Sequence, residues 1–92
     1  MRLTWDEAKR AATLTQRGLD FADAAEVFAD DHFTASDDRR DYGEPRYITA
    51  GRLRDRFVVL VWTPRGDSRR IISMRRGHAD EEAWFRQRMG RS

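Results

Sequence analysis

The apolar positions change period partway along the chain. Up to Asp31 they recur as on a helix. Trp5, Ala8, Ala11, Ala12 and Leu14 make one stripe, Thr4 with Glu7 three residues on is a capping-box pattern, and Gly18 is a natural stop. A first helix is therefore expected from near Trp5 to Gly18. Phe21, Ala24, Ala25 and Phe28 stand at i, i+3, i+4 and i+7, with Val27 widening that face and Asp30-Asp31 closing it, so a second helix is expected after Asp20. Residues 32–35 read as a short strand, and the polar stretch 36–44, ending near Gly43 and Pro45, as a loop. Beyond Pro45 the pattern becomes extended. Residues 46–51, 56–63 and 69–75 are strand candidates, joined by turns at 52–55 and 64–67, and should pair as consecutive antiparallel neighbours. Residues 57–62 are apolar on both faces, which marks a central, doubly covered strand. Asp80, Glu81 and Glu82 open a last helix over 79–89, where acids suit the positive end of the helix dipole. The expected class is α+β: two N-terminal helices, a three- to four-stranded antiparallel sheet and a C-terminal helix.

Composition narrows this picture. Ninety-two residues, 39% of them hydrophobic, suit one domain (1–92) with a small core. The absence of cysteine excludes disulfides and thiolate chemistry. The longest apolar run, 57–62, is too short to cross a bilayer, and the first residues lack the apolar run of a signal peptide, so a cytoplasmic protein without a membrane partner is expected. Charge is distributed unevenly. Residues 1–44 hold 6 basic and 11 acidic side chains, residues 45–92 hold 12 and 5, and the balances of −5 and +7 return the net +2. All basic residues but Lys9 are arginine, the side chain suited to bidentate phosphate recognition. A GC-rich genome explains a preference for arginine over lysine, but not the concentration of basic residues in the second half. That asymmetry points to a polyanionic partner, nucleic acid first.

Several chemistries find no support. His32 and His78 stand in different elements without metal-ligand spacing, and no phosphate-binding glycine loop, nucleophile elbow or dinucleotide fingerprint is present. Neither metal nor cofactor is expected. The arginines remain. Strict alternation in the last strand sets Arg70, Ile72, Met74 and Arg76 on one face and Arg69, Ile71, Ser73 and Arg75 on the other. Arg65 sits in the preceding turn and Arg46 opens the first strand of the meander. Such arginines can hold an RNA backbone or an acidic partner helix; equally, they can solvate the sheet edges and discourage edge pairing. RNA carries its own nucleophile in the 2′-hydroxyl. Cleavage then needs a base, cations for the phosphorane and an acid for the leaving oxygen. Arginines meet the second need; Glu81, His78, Tyr47 and His32 stand open for the others.

The residues also resemble a known family. Trp5-Asp6 with Lys9, Gly18-Leu19 with Phe21 and Ala24, and Val27-Phe28 resemble the opening of the BrnT toxins. Arg46-Tyr47 with Gly51, Val58-Val59 with Thr63 and Arg65, Arg70-Ile71-Ile72-Ser73 with Arg75, then Glu81 and the aromatic Phe85 continue the likeness over nearly the whole chain. The chain departs from the pattern at Gln16 and Arg17, where the family usually carries Lys-His, and at Phe85, where a tyrosine is usual. The resemblance implies a RelE-like α+β ribonuclease, the toxin half of a type II toxin–antitoxin pair, which arrests translation by cleaving RNA without a metal. It implies a BrnA-like antitoxin as partner and promoter DNA bound only through the antitoxin. It makes Arg65, Arg75 and Glu81 the catalytic candidates, with Arg46 and Tyr47 in support; these two, with Arg76 and His78 from the reading of the residues themselves, are the RNA-binding candidates. A second reading is a decayed toxin homologue that acts as an antitoxin-binding, promoter-complex module.

Overall fold

The computed structural model describes residues 2–89. Its elements in chain order are β1 (Arg2–Trp5), α1 (Glu7–Arg17), a 3₁₀ turn (Phe21–Asp23), α2 (Ala24–Ala29), β2 (His32–Ser36), β3 (Tyr47–Leu53), β4 (Arg56–Arg65), β5 (Ser68–Arg76) and α3 (Ala79–Met89). The strands form one sheet in the order β1-β5-β4-β3-β2. The class is α+β as expected, but the sheet has five strands and is mixed. β2 to β5 pair antiparallel, as the consecutive turns required, whereas β1 pairs parallel to β5, with Leu3 beside Arg69 and Trp5 beside Ile71.

β1 lies where the capping-box pattern placed the start of a helix. Leu3 and Trp5 alternate and pack against the core, so burial of two large side chains on a sheet face wins over one local capping bond. The cap is Asp6 instead: its carboxylate accepts from the Ala8 N–H at 2.9 Å. At the other end Gly18 takes φ 69°, as a C-terminal glycine can, and its N–H donates to the Leu14 carbonyl. No residue of α1 is buried, and Leu14 is 43% exposed, so the expected stripe does not face the core. The second predicted helix divides into the 3₁₀ turn and a short α2. Phe21, Ala24, Val27 and Phe28 are buried while Ala25 is exposed, so Val27 rather than Ala25 completes that face.

β4 carries core on both faces. Val58, Leu60 and Trp62 pack with Leu19, Phe21, Ala24, Val27, Phe28, Ile71 and Met74 on the α2 side. Phe57 and Val59 pack with Phe85 of α3 on the other, joined by Phe33, Ile48, Ala50 and Met89. The register of β5 against β4 slips between Val61 and Trp62: Val61 opposes Ser73 and Trp62 opposes Ile71, which leaves Ile72 as an extra residue. This bulge overturns the strict alternation read from the sequence. Ile71 and Met74 now share the α2-side core, and Ser73 and Arg75 share the opposite face. Gly77 follows β5 and starts the approach to α3. Its N–H donates to the Phe57 carbonyl at 2.9 Å, and a Cβ there would meet the Phe57 ring at 2.2 Å. Among the described residues no buried side-chain nitrogen or oxygen lacks a hydrogen-bond partner.

Candidate nucleic-acid interface

The sheet face that carries Arg75 is only partly covered by α3, and the loop between β2 and β3 closes its far side. Arg75, opposite Val59 in the ladder, donates from Nη1 and Nη2 to both oxygens of Glu81 at 2.9 and 2.8 Å. Glu81 stands in the first turn of α3 and also accepts the His78 backbone N–H at 2.7 Å. The Arg75 guanidinium and that N–H hold the Glu81 carboxyl down to about 2, and the carboxylate raises the Arg75 guanidinium in return. The His78 ring approaches the same carboxylate, Nδ1 to Oε1 at 3.5 Å, and is largely exposed.

The other predicted residues lie elsewhere. Arg65 is six residues along β4 from Val59, roughly 20 Å at the rise of a strand. There it meets Arg46 across one acid: Arg65 Nη2 is 3.1 Å and Arg46 Nε 3.4 Å from opposite oxygens of Glu44. Arg46 also lies over the Tyr42 ring at 4.1 Å. Tyr47 opposes Trp62, their rings 5.1 Å apart, and so packs on the α2-side face, away from Arg75. Arg76 lines a separate polar cavity with Asp55, Arg56 and Glu82. The fold thus brings Arg75, Glu81 and His78 together and gathers Arg46 and Arg65 in a second cluster. It keeps Tyr47 and Arg76 apart from both. Arg69 is taken up by the core, stacked 4.2 Å from Phe28 and 4.7 Å from Trp62.

Arg39, in the loop between β2 and β3, was not among the residues read from the sequence. Its Nε and Nη2 donate at 2.7 and 2.8 Å to Asp37, whose carboxylate is fully buried. That bidentate pair, with the Arg39 backbone N–H at 3.3 Å, holds the Asp37 carboxyl at about 2 against the opposing pull of burial. Arg39 and Arg75 line one cavity of about 280 Å³ floored by Ile48, Val59, Val61 and Ser73. One faint signal stands in the sequence, a polar loop with arginines beside acids. Nothing in its spacing tells which arginine turns inward.

The departures noted at Gln16, Arg17 and Phe85 fall outside this group. Arg17 Nη1 donates to the Met74 carbonyl at 2.9 Å, bracing β5 one residue before Arg75. Gln16 is exposed on α1, and Phe85 is buried against Phe57 with ring centroids 5.2 Å apart. Among the described residues no three His, Cys, Asp or Glu side chains converge as around a metal ion.

The sequence pattern of a family described as the ribonuclease toxin BrnT of type II toxin–antitoxin systems matches residues 5–81, from the end of β1 to Glu81. The chain belongs to the BrnT family. The match therefore takes in the Arg75–Glu81 pair, the Arg46–Arg65 cluster and the loop between them, and ends in the first turn of α3. As a type II toxin, a BrnT protein has an antitoxin partner. No curated protein sequence matches the chain. No helix among the described residues is long and apolar enough to cross a membrane.

Proposed function

We propose that this BrnT chain is a metal-independent endoribonuclease whose reaction centre is the Arg75–Glu81 pair. The observation that carries this reading is that pair itself: a bidentate, pre-oriented guanidinium at the edge of an open sheet face. The RNA 2′-hydroxyl attacks the adjacent phosphorus, the 2′-oxygen–phosphorus bond forms, and the bond to the 5′-oxygen breaks. A 2′,3′-cyclic phosphate and a free 5′-hydroxyl result. The phosphorane carries one more negative charge than the diester, and Arg75 neutralises it from a position fixed before substrate arrives. Glu81, held ionised and paired, suits the orientation of Arg75 better than the removal of a proton near neutral pH, for which its affinity is too low. His78, on the same carboxylate and open to solvent, is the group placed to exchange protons with the reacting oxygens. Arg46 and Arg65, on their shared Glu44, hold the strand further along.

In the cell the reading calls for a cytoplasmic toxin that arrests translation, neutralised by a BrnA-like antitoxin through which the complex reaches promoter DNA. The positions of Arg17 and Phe85 favour an active toxin over a decayed one, because both serve packing and neither opens a gap beside Arg75. Expression of the chain alone in a bacterial host, with growth and bulk RNA followed together, tests it. Arrest with RNA loss is expected, and Arg75→Ala should lower cleavage by about a hundredfold or more at equal expression. Healthy growth with abundant folded protein, or full toxicity of Arg75→Ala, overturns the assignment.

A further inference from the structure

We propose that the cavity between the β2–β3 loop and α3 holds one nucleotide of single-stranded RNA, its phosphate between Arg39 and Arg75 and its base in the adjoining aromatic groove. The inference rests on the ribonuclease reading above and adds Arg39, Trp84 and a base subsite to it.

Three features support it. Arg39 is anchored like a built ligand-binding group. Its Nε–Nη2 edge is clamped by buried Asp37, and the Arg75 Nη1–Nη2 edge is clamped by Glu81. Among the described residues this leaves Arg39 Nη1 and Arg75 Nε without hydrogen-bond partners, one from each wall of the cavity. The two guanidinium groups also sense each other's charge, a repulsion that an anion between them relieves. Finally, the cavity runs into a groove of about 410 Å³ that shares Ile48, Val59 and Glu81 with it and is walled by Phe33, Phe57 and Trp84. Trp84 stands edge-on to Phe33 at 4.8 Å, carries the Arg88 guanidinium 4.6 Å over its ring and is 41% exposed beside the anion site. Two guanidinium groups, each paired with a carboxylate and keeping one N–H free, stand at one end of a largely apolar, aromatic slot that Asp80 also lines; those donors suit a phosphate, and a base stacks on any aromatic face. An amphipathic protein helix would need an apolar stripe running past that end.

Binding of a short fluorescein-labelled 2′-O-methyl RNA, which lacks the nucleophile, to the full chain separates the outcomes. Asp37→Asn/Arg39→Ala removes both charges of the pair, so no buried carboxylate is left without its partner. It should weaken binding and flatten the dependence of log affinity on log salt by about 0.7, the share of one single-strand phosphate contact. A merely structural role for Arg39 would leave that slope alone. Trp84→Ala should weaken binding by about fivefold or more without changing the slope. If the native chain binds and cleaves RNA but both variants match it in affinity and slope, the nucleotide site falls and the ribonuclease reading stands. If the native chain neither binds nor cleaves RNA, both fall. If Trp84→Ala spares RNA binding but releases the antitoxin, the groove is a protein-docking surface and the base subsite is wrong.

Discussion

Two donors, the Arg75 guanidinium and a backbone N–H, keep Glu81 ionised. Its carboxyl sits at about 2 because Arg75 and the His78 N–H both favour the ionised form. A carboxyl depressed in the folded state stabilises the fold above its unfolded value, near 4.5, and that contribution disappears as pH falls through about 2. Asp37, lowered from 3.8 to about 2 by Arg39, behaves alike. Urea midpoints followed from pH 6 to pH 2 should therefore drop between roughly 4.5 and 2. The drop should be smaller in Glu81→Gln, which has no charge to lose; an equal drop would show that Glu81 is not held by Arg75. At this scale the sequence was partly legible. Arg75 and Glu81 could be named through the family resemblance, and the structure brings them together where a strand end and a helix start lie six residues apart. Arg39 could not, because an irregular loop has no period to say where a side chain points. The side on which Tyr47 lies could not be read either, since a strand's first residue faces either way and here it faces Trp62.

Among the elements, the join between β5 and α3 has the least room. A methyl group on Gly77 would enter the Phe57 ring, on the strand whose neighbouring Val59 faces Arg75. Gly77→Ala should cost about 1–3 kcal/mol by overpacking, read from urea denaturation, and should lower RNA cleavage further by moving α3 and with it Glu81. Unchanged stability would mean that the ring swings aside freely. At the other end of the chain, Asp6→Ala should cost about 1 kcal/mol through loss of the α1 cap, while Thr4→Ala should cost less, since Thr4 lies in β1 and caps nothing. These sites also show why some elements were hidden. A four-residue strand that contains cap-like Thr4 and is followed by Glu7 is locally indistinguishable from a helix start; only the distant edge of β5 decides. The bulge at Ile72 is equally silent in the sequence. Three consecutive apolar or small residues, Ile71 to Ser73, fit regular pairing as well as slipped pairing, and the choice is made by the two cores on either face.

For the whole molecule, the charge asymmetry of the two halves is folded back on itself. Arg54 from the second half reaches Glu26 at 2.8 Å and Asp23 at 3.6 Å in the first, and Arg52 reaches Glu82. Within the first half Arg10 clamps Asp20. What remains for a partner is less than the sequence balance suggests, since Arg39 and Arg75 of the candidate site are themselves paired with Asp37 and Glu81. β1 shields the outer edge of β5. A chain lacking residues 2–5 should lose stability and associate through that uncovered edge, which light scattering would detect; a monomer of native stability would show the fifth strand to be dispensable.

That same strand has a consequence for when the protein becomes dangerous. Arg2 pairs with Ser68, so the last ladder of the sheet joins residues more than sixty positions apart. Arg75 and Glu81 come later still. Contacts of such long range form only after the intervening chain is available. A chain still under synthesis therefore cannot complete this ladder, or bring Arg75 to Glu81, until translation has passed residue 81.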